Sequence, residues 1–378
     1  MIATRRFAIV CTTIFNLEFL PSLVNNLERF GHKDDTQIIV IPDRKSPSSS
    51  WDRVQALRRK GFCITYPTLE EQEHYLSRFP AIANLIPYDS DNRRNIGFLM
   101  ALESGAELLI SIDDDNFPDM AYDFVGCHAI CGKVMQVEHI QSSDSWYNIC
   151  ELLTIEPSVV VFPRGFPYRI RRGHQPIYHT EVHSARIGMN IGLWTGDPDI
   201  DAISRNYASF HVVKWKGEQV ALGPGTWSPI NTQNTALIRE LIPAYYYVRM
   251  GEAINGLVID RFGDILSGYF AKKVCDHLGY SITVGSPICD HQRTPHNLFK
   301  DLYHELAGIV LLEEFIQWLE SVQLQGGNVL EAYRSLAEQV DSSVDRFQGY
   351  LWSPEARSYF CKIAHAMQLW SDAVEVLL

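Results

Sequence analysis

The chain has 378 residues and a formal net charge of -12, with 46% hydrophobic and 21% charged residues. Those proportions are ordinary for a soluble globular protein, and the length suits one large domain or one domain with an appendage. The negative charge speaks against a general nucleic-acid binder, and no stretch approaches the ~20 apolar residues of a membrane span.

The start, residues 1–6, is basic, but the apolar stretch after it is broken by Thr12, Thr13, Asn16 and Glu18. Residues 6–13 therefore read as a first strand, not a signal peptide. Helical spacing follows over 17–30, a second strand over 37–41, a helix over 51–60 and a short strand over 62–66. A helix over 95–105 leads into a strand over 107–112. Strands alternating with helices imply a mainly parallel sheet with right-handed crossovers. Beyond this the pattern is mixed: a strand over 158–162, a basic Gly/Pro-containing loop over 164–175, a helix over 264–278 and a strand over 281–284. From 304 onward the spacing is helical, with breaks at Gly326-Gly327 and Ser353-Pro354. Eight cysteines are scattered, with Cys127 and Cys131 the only close pair. They read as reduced core residues of a cytoplasmic protein.

The strand over 107–112 stops in Asp113-Asp114-Asp115-Asn116. A buried strand ending in carboxylates puts acceptor-only oxygens at the carboxyl edge of a sheet, where open α/β folds bind ligands. Three adjacent carboxylates repel one another unless a cation sits among them, and hard divalent cations favour such oxygens. The same residues would also cap a helix. No glycine-rich turn follows the first strand or a later one, so bound FAD or NAD is not expected. Arg164, Arg169, Arg171 and Arg172 fall within nine residues, beside Gly165, Pro167 and two aromatics, and suit a dianionic pyrophosphate.

Five segments taken in order resemble the reversibly glycosylated polypeptides, the plant UDP-arabinopyranose mutases and their bacterial relatives. They are Thr13-Ile14-Phe15-Asn16-Leu17-Glu18-Phe19-Leu20; Ile112-Asp113-Asp114-Asp115; Arg164-Gly165-Phe166-Pro167-Tyr168-Arg169-Ile170-Arg171-Arg172-Gly173; Gly192-Leu193-Trp194 with Pro198-Asp199-Ile200-Asp201-Ala202; and Val274-Cys275-Asp276-His277-Leu278-Gly279 with Asp290-His291. The chain departs from the family at Arg261-Phe262-Gly263-Asp264, where one of two carboxylates is missing, and over 89–97 and 325–378.

The resemblance implies an α/β GT-A fold with a mixed, mainly parallel central sheet over 1–303 and a C-terminal helical segment over 304–378. It implies a flavin-independent, metal-dependent nucleotide-sugar mutase that interconverts pyranose and furanose forms. A GT-A glycosyltransferase with a separate acceptor is the alternative, and a non-catalytic nucleotide-sugar-binding subunit a third reading. Asp113, Asp115 and His291 are the expected ligands of Mn2+ or Mg2+, and Asp114 is expected at ribose or sugar. Asp43 is expected at base or ribose, and Arg93 and Arg94, just ahead of a helix, at phosphate. Arg164 and Arg169 are expected at the pyrophosphate; Asp199 and Asp201 are candidates for the sugar or for an exposed acidic turn, and Trp194 for a sugar face or, ahead of that, for core packing. Arg171 aligns with the family's glycosylated arginine. It is expected to be essential, either through a sugar adduct or by orienting the leaving group, although a guanidinium is a poor nucleophile. Asp264 is the candidate base. Plant relatives suggest self-association.

Overall fold

The computed structural model describes residues 5–173 and 175–378; most of the basic start, and His174 of the basic loop, lie outside them. Strands β1 (Phe7–Thr13), β2 (Thr36–Pro42), β3 (Cys63–Thr65) and β4 (Leu108–Ile112) form a parallel half-sheet in the order β3-β2-β1-β4. β1, β2 and β4 are buried almost throughout, as expected of parallel strands covered on both faces by helices. Ile9, Val10, Ile38, Ile39, Leu109 and Ile110 supply the continuous apolar run that this burial requires.

One face is covered by helix Arg94–Glu103, whose first residue is Arg94. Gly97 of this helix lies against Val10 and Ile41, where a Cβ would collide with the Val10 side chain. The close approach sets Arg94 beside the ends of β1 and β4. Past β4 the sheet is mixed. Strand Asn234–Ile238 runs antiparallel to β4 and to Tyr178–Gly196. Val134–Ser142, Val220–Leu222 and Tyr280–His291 follow, and the last also pairs in parallel with Tyr178–Gly196. A parallel 3-2-1-4 half joined through an antiparallel strand to a mixed half is the GT-A arrangement.

Residues 158–162, expected as a strand, are irregular; the strand is Leu153–Glu156, just ahead of them. Pro157 and Pro163 bracket the segment and offer no backbone N–H to a ladder. Val159 and Val160 are exposed. The C-terminal helices are Leu298–Ser321, Val329–Ser343 and Pro354–Glu375. Their breaks fall at Gly326, with φ +101°, and at Ser353, whose side chain accepts from Ala356 N with Pro354 at the first helical position. Residue 303 lies inside the first of them, and the core of the mixed half continues into these helices through contacts such as Phe270–Phe315 and Phe315–Phe360. No helix among the described residues is long and apolar enough to cross a membrane.

A buried polar link crosses the sheet where its two halves meet. His128 is fully buried; its Nε2 lies 3.0 Å from Asn234 Oδ1 and its Nδ1 3.0 Å from Asn190 Nδ2. This pattern suits a neutral ring with the proton on Nε2. Burial pushes the imidazole down to about 4, the Asn234 contact opposing it only in part. The folded value lies below the unfolded one, so the stabilisation is complete above pH ~6.5 and is lost as pH falls toward 4. Urea denaturation from pH 7 to pH 4 is expected to show a loss of about 3 kcal/mol from this group. His128→Gln should flatten that part of the profile; an unchanged slope would remove the assignment.

Candidate active site

The carboxyl ends of β1, β2 and β4 converge on one edge of the sheet. Thr12 and Thr13 end β1, Asp43 follows β2, and Asp113 to Asp115 follow β4. A cavity of about 290 Å3 opens there, lined by these residues together with Lys45, Asp91, Arg93, Arg94 and Tyr247. A second, of about 190 Å3, adjoins it and holds Arg164, Asp199, Asp264 and His291. Asp91, Asp113, Asp115 and Tyr247 line both, so the aspartate triplet stands at the junction.

In the first cavity Arg94 is buried and donates to Thr12 Oγ1, Ser111 Oγ and Thr232 Oγ1, and its Nη2 lies 2.6 Å from Asp113 Oδ1. Burial raises the Asp113 carboxyl even against the opposing Arg94 charge. Asp114 Oδ2 accepts from Thr13 Oγ1 at 2.6 Å. Burial, opposed by that bond and reinforced by Asp115 and Asp113, pushes its carboxyl up to about 7. Asp43 Oδ1 accepts from Arg44 N and Oδ2 from Ser90 N, which fixes the carboxylate at the cavity wall. Arg93 is buried, bonded to Gln72 and stacked 4.1 Å from the Tyr88 ring centroid. Among the described residues its Nε has no hydrogen-bond partner. Burial lowers this guanidinium below its ordinary value.

At the junction, His291 Nε2 lies 3.4 Å from Asp115 Oδ2, and His291 Nδ1 lies 2.5 Å from the Asp197 carbonyl. A carbonyl accepts only from N–H, so Nδ1 carries a proton and Nε2 is the atom turned to Asp115. Burial works against both charges, yet their mutual hydrogen bond and attraction hold the Asp115 carboxyl low and the His291 imidazole high. The three-ligand set expected of Asp113, Asp115 and His291 is not assembled: no group of three or more such side chains is arranged for a metal ion among the described residues. Arg94 occupies one oxygen of Asp113. Asp115 and His291 remain a facing oxygen–nitrogen pair. Such a pair fits a divalent cation that completes its sphere with water and substrate oxygens.

The second cavity is organised by Arg164. Its Nε and Nη2 lie 2.9 and 3.1 Å from the two oxygens of Asp199, and its Nη2 and Nη1 lie 2.7 and 3.1 Å from those of Asp264. It also donates to the Arg261 carbonyl. Asn231 Nδ2 adds a bond to Asp199 at 2.8 Å. Burial opposes ionisation, but Arg164 overrides it and holds the Asp199 carboxyl well below the usual carboxylate range. Asp264 sits in the first turn of helix Gly263–Leu278, where its negative charge complements the helix N-terminus. The absent family carboxylate is explained here: a Cβ at Gly263 would run into the Val248 carbonyl.

Four expected substrate or catalytic residues line neither cavity. Arg171 turns back on its own loop, with Nη1 2.6 Å from Asp201 Oδ2, Nε on the Phe166 carbonyl and its guanidinium over Tyr168. Asp201 is fully buried and caps the next helix through Ser204 N, so its oxygens are spent on structure. Arg169 pairs with Glu320 of helix Leu298–Ser321. Trp194 takes the core-packing role of its two candidate roles: it is 2% exposed and packs in the core, not at a sugar face. Asp43, Arg93, Arg94, Asp113, Asp114, Asp115, Arg164, Asp199, Asp264 and His291 are brought together.

Asp91, Tyr247, Arg205, Arg261, Arg293 and His296 also line the cavities and were not singled out from the sequence. Asp91 stands two residues before the Arg93-Arg94 pair, and Arg293 and His296 follow His291 closely, so proximity to a candidate was the usable signal. Tyr247 stands within the apolar run Ala244-Tyr245-Tyr246-Tyr247-Val248, which reads as core. Its hydroxyl donates to Asp91 Oδ2 at 2.8 Å.

A GT-A sheet carrying a carboxylate triplet between two joined polar cavities defines the class of protein. Residues 57–377 match the family model described as reversibly glycosylated polypeptide, and the chain belongs to that family. UDP-arabinopyranose mutase 1 of Oryza sativa subsp. japonica is 30% identical over 299 residues, which is 78% of this chain and 74% of that protein. Probable UDP-arabinopyranose mutase 1 of Pisum sativum is 28% identical over 77% of this chain and 73% of that one. Glucosyl-3-phosphoglycerate synthase from Mycobacterium tuberculosis, solved with Mn2+, uridine-diphosphate and phosphoglyceric acid, has a TM-score of 0.40 at 12% identity, covering 86% of this chain and 81% of that one.

Proposed function

We propose that this chain is a nucleotide-diphosphate-sugar mutase that interconverts pyranose and furanose forms, with the nucleotide in the first cavity and the sugar in the second. The observation that carries this is Arg164, locked between Asp199 and Asp264 in a polar compartment that opens directly on the aspartate triplet. Family membership and the names of its relatives support the reading and make UDP-arabinose the first substrate to test.

Ring contraction exchanges one bond at the anomeric carbon for another. The anomeric carbon parts from the phosphate oxygen, and the electron pair stays on the diphosphate. A second sugar hydroxyl bonds to that carbon and gives its proton to Asp264. The proton passes to the old ring oxygen as its bond to the anomeric carbon breaks, and the diphosphate oxygen rebonds. Asp199 accepts sugar hydroxyls, Arg164 fixes both carboxylates, and Asp43 holds base or ribose. Asp115 and His291 would hold Mn2+ or Mg2+, which when bound neutralises diphosphate charge. The free state of all eight cysteines supports a reducing, cytoplasmic setting.

In this reading Arg171 is a positioning residue that pins the loop carrying Arg164. Arg171→Ala is expected to destabilise the fold by about 3–5 kcal/mol, because it strands the buried Asp201 carboxylate, while UDP affinity by calorimetry stays at the wild-type value. A selective loss of UDP binding would return Arg171 to the site.

The function is tested by incubating the protein with Mn2+ and a panel of UDP-sugars without acceptor and following products by NMR. A furanosyl nucleotide that disappears in Asp264→Asn is expected. Intact or merely hydrolysed substrate across the panel would sink the mutase reading in favour of a transferase.

A further inference from the structure

The second cavity holds more cationic side chains than ring contraction of a neutral sugar uses. Besides Arg164 it is lined by the guanidinium groups of Arg205, Arg261 and Arg293, with the His296 imidazole beside them, all drawn from three separate segments. Arg261 adopts φ +61°, a left-handed conformation that non-glycine residues avoid unless their surroundings impose it. Its Nε lies 2.8 Å from Glu305 Oε1. The Arg293 side chain is only 7% exposed, and its Nη2 lies 2.8 Å from Asp301 Oδ2. Arg205 is fixed to Asp197 and to the carbonyls of Pro198 and Ile200.

The carboxylates paired with these three arginines do not line the cavity, and the aspartates that do line it have other partners: Asp199 and Asp264 are held by Arg164, Asp113 by Arg94, Asp115 by His291 and Asp91 by the Tyr247 hydroxyl. Asp301 and Glu305 are buried behind it, at 6% and 1% exposure, and Asp197 also stands outside its lining. Asp301 further accepts from His296, and Glu305 from Ala202 N, so both are shared. Arg293 has five N–H donors, and among the described residues its hydrogen bond is the one to Asp301. A guanidinium with donors left over presents a planar fork that matches carboxylate and phosphate oxygens.

We infer that Arg261, Arg293 and Arg205, with His296, form a second oxyanion site that takes a carboxylate or phosphate group distinct from the nucleotide's own diphosphate. This rests on the nucleotide-sugar reading of the first cavity. The oxyanion belongs either to the sugar itself, as the carboxylate of a uronic acid, or to a phosphate-bearing co-substrate.

The test loads the protein with Mg2+ and saturating UDP and titrates inorganic phosphate by calorimetry. In parallel, a UDP-hexuronate is compared with the matching UDP-hexose. Phosphate is expected to bind the UDP-loaded protein and to bind about ten-fold or more weakly to Arg293→Gln and Arg261→Gln. Retained UDP affinity in both variants shows that they are folded. A preference for the hexuronate that these variants lose places the oxyanion on the sugar, and phosphate binding without that preference places it on a co-substrate. The inference is overturned if phosphate does not bind the loaded protein and the hexuronate is not preferred. It is equally overturned if the variants weaken UDP as much as phosphate, because the wall then clamps the diphosphate. Failure of UDP itself to bind would instead remove the nucleotide-sugar reading, and this one with it.

Discussion

Arg164→Met is expected to cost about 3–5 kcal/mol of stability at pH 7 and to lower turnover about 100-fold or more. Arg164 is 9% exposed and faces Asp199 and Asp264, which are 13% and 10% exposed. Its removal leaves two carboxylates side by side with little water to separate their charges. Urea denaturation at several pH values distinguishes this from loss of packing. Arg164 holds the Asp199 carboxyl well below its unfolded value, burial notwithstanding. That stabilisation is therefore present above pH ~4 and is lost as pH falls through the lower, folded value. The gap between wild type and variant should hold from pH 7 to about pH 4 and narrow below it. A gap that ignores pH would mean that Arg164 acts by volume and not by charge.

The second large effect is expected at the cavity junction. Asp115→Ala should abolish the gain in UDP affinity brought by Mn2+, about 10- to 100-fold, and leave binding in EDTA little changed. The warrant is the pairing of Asp115 with His291 across 3.4 Å, with His291 Nδ1 tied to the Asp197 carbonyl. Asp43→Ala serves as the contrast. Asp43 lines the first cavity only, so its loss should weaken UDP equally with and without the cation. Calorimetry in Mn2+ and in EDTA reads both. A cation effect that survives in Asp115→Ala would move the cation elsewhere along the triplet.

These two effects share a design. Charges at the site are held by partners that fix their direction: Arg94 for Asp113, Thr13 for Asp114, His291 for Asp115 and Arg164 for Asp199 and Asp264. Preorganised charge of this kind needs no reorientation when a diphosphate leaves and returns.

What the sequence determined by itself is what depends on short stretches of chain. The apolar runs of β1, β2 and β4 specify buried parallel strands because each residue of such a strand meets a covered face. The step from Ile112 to Asp113 marks the end of a strand, and the breaks at Gly326 and Ser353-Pro354 mark helix ends, through local backbone preference alone. The GT-A half and the aspartate triplet were therefore legible. Only the tertiary structure decided which member of a local cluster faces the cavity. Arg164 and Arg171 sit in one basic run with the same chemistry. The turn at Gly165, with φ +92°, and the buried Asp201 send one into the compartment and the other back on its loop. Trp194 and Tyr247 are both large aromatics in apolar runs, and only packing from distant strands buries the first and leaves the second at the junction. Residues 158–162 had the composition of a strand but no neighbouring strand to accept them. In each case the deciding partner lies far away in the chain, and local periodicity carries no information about distant partners.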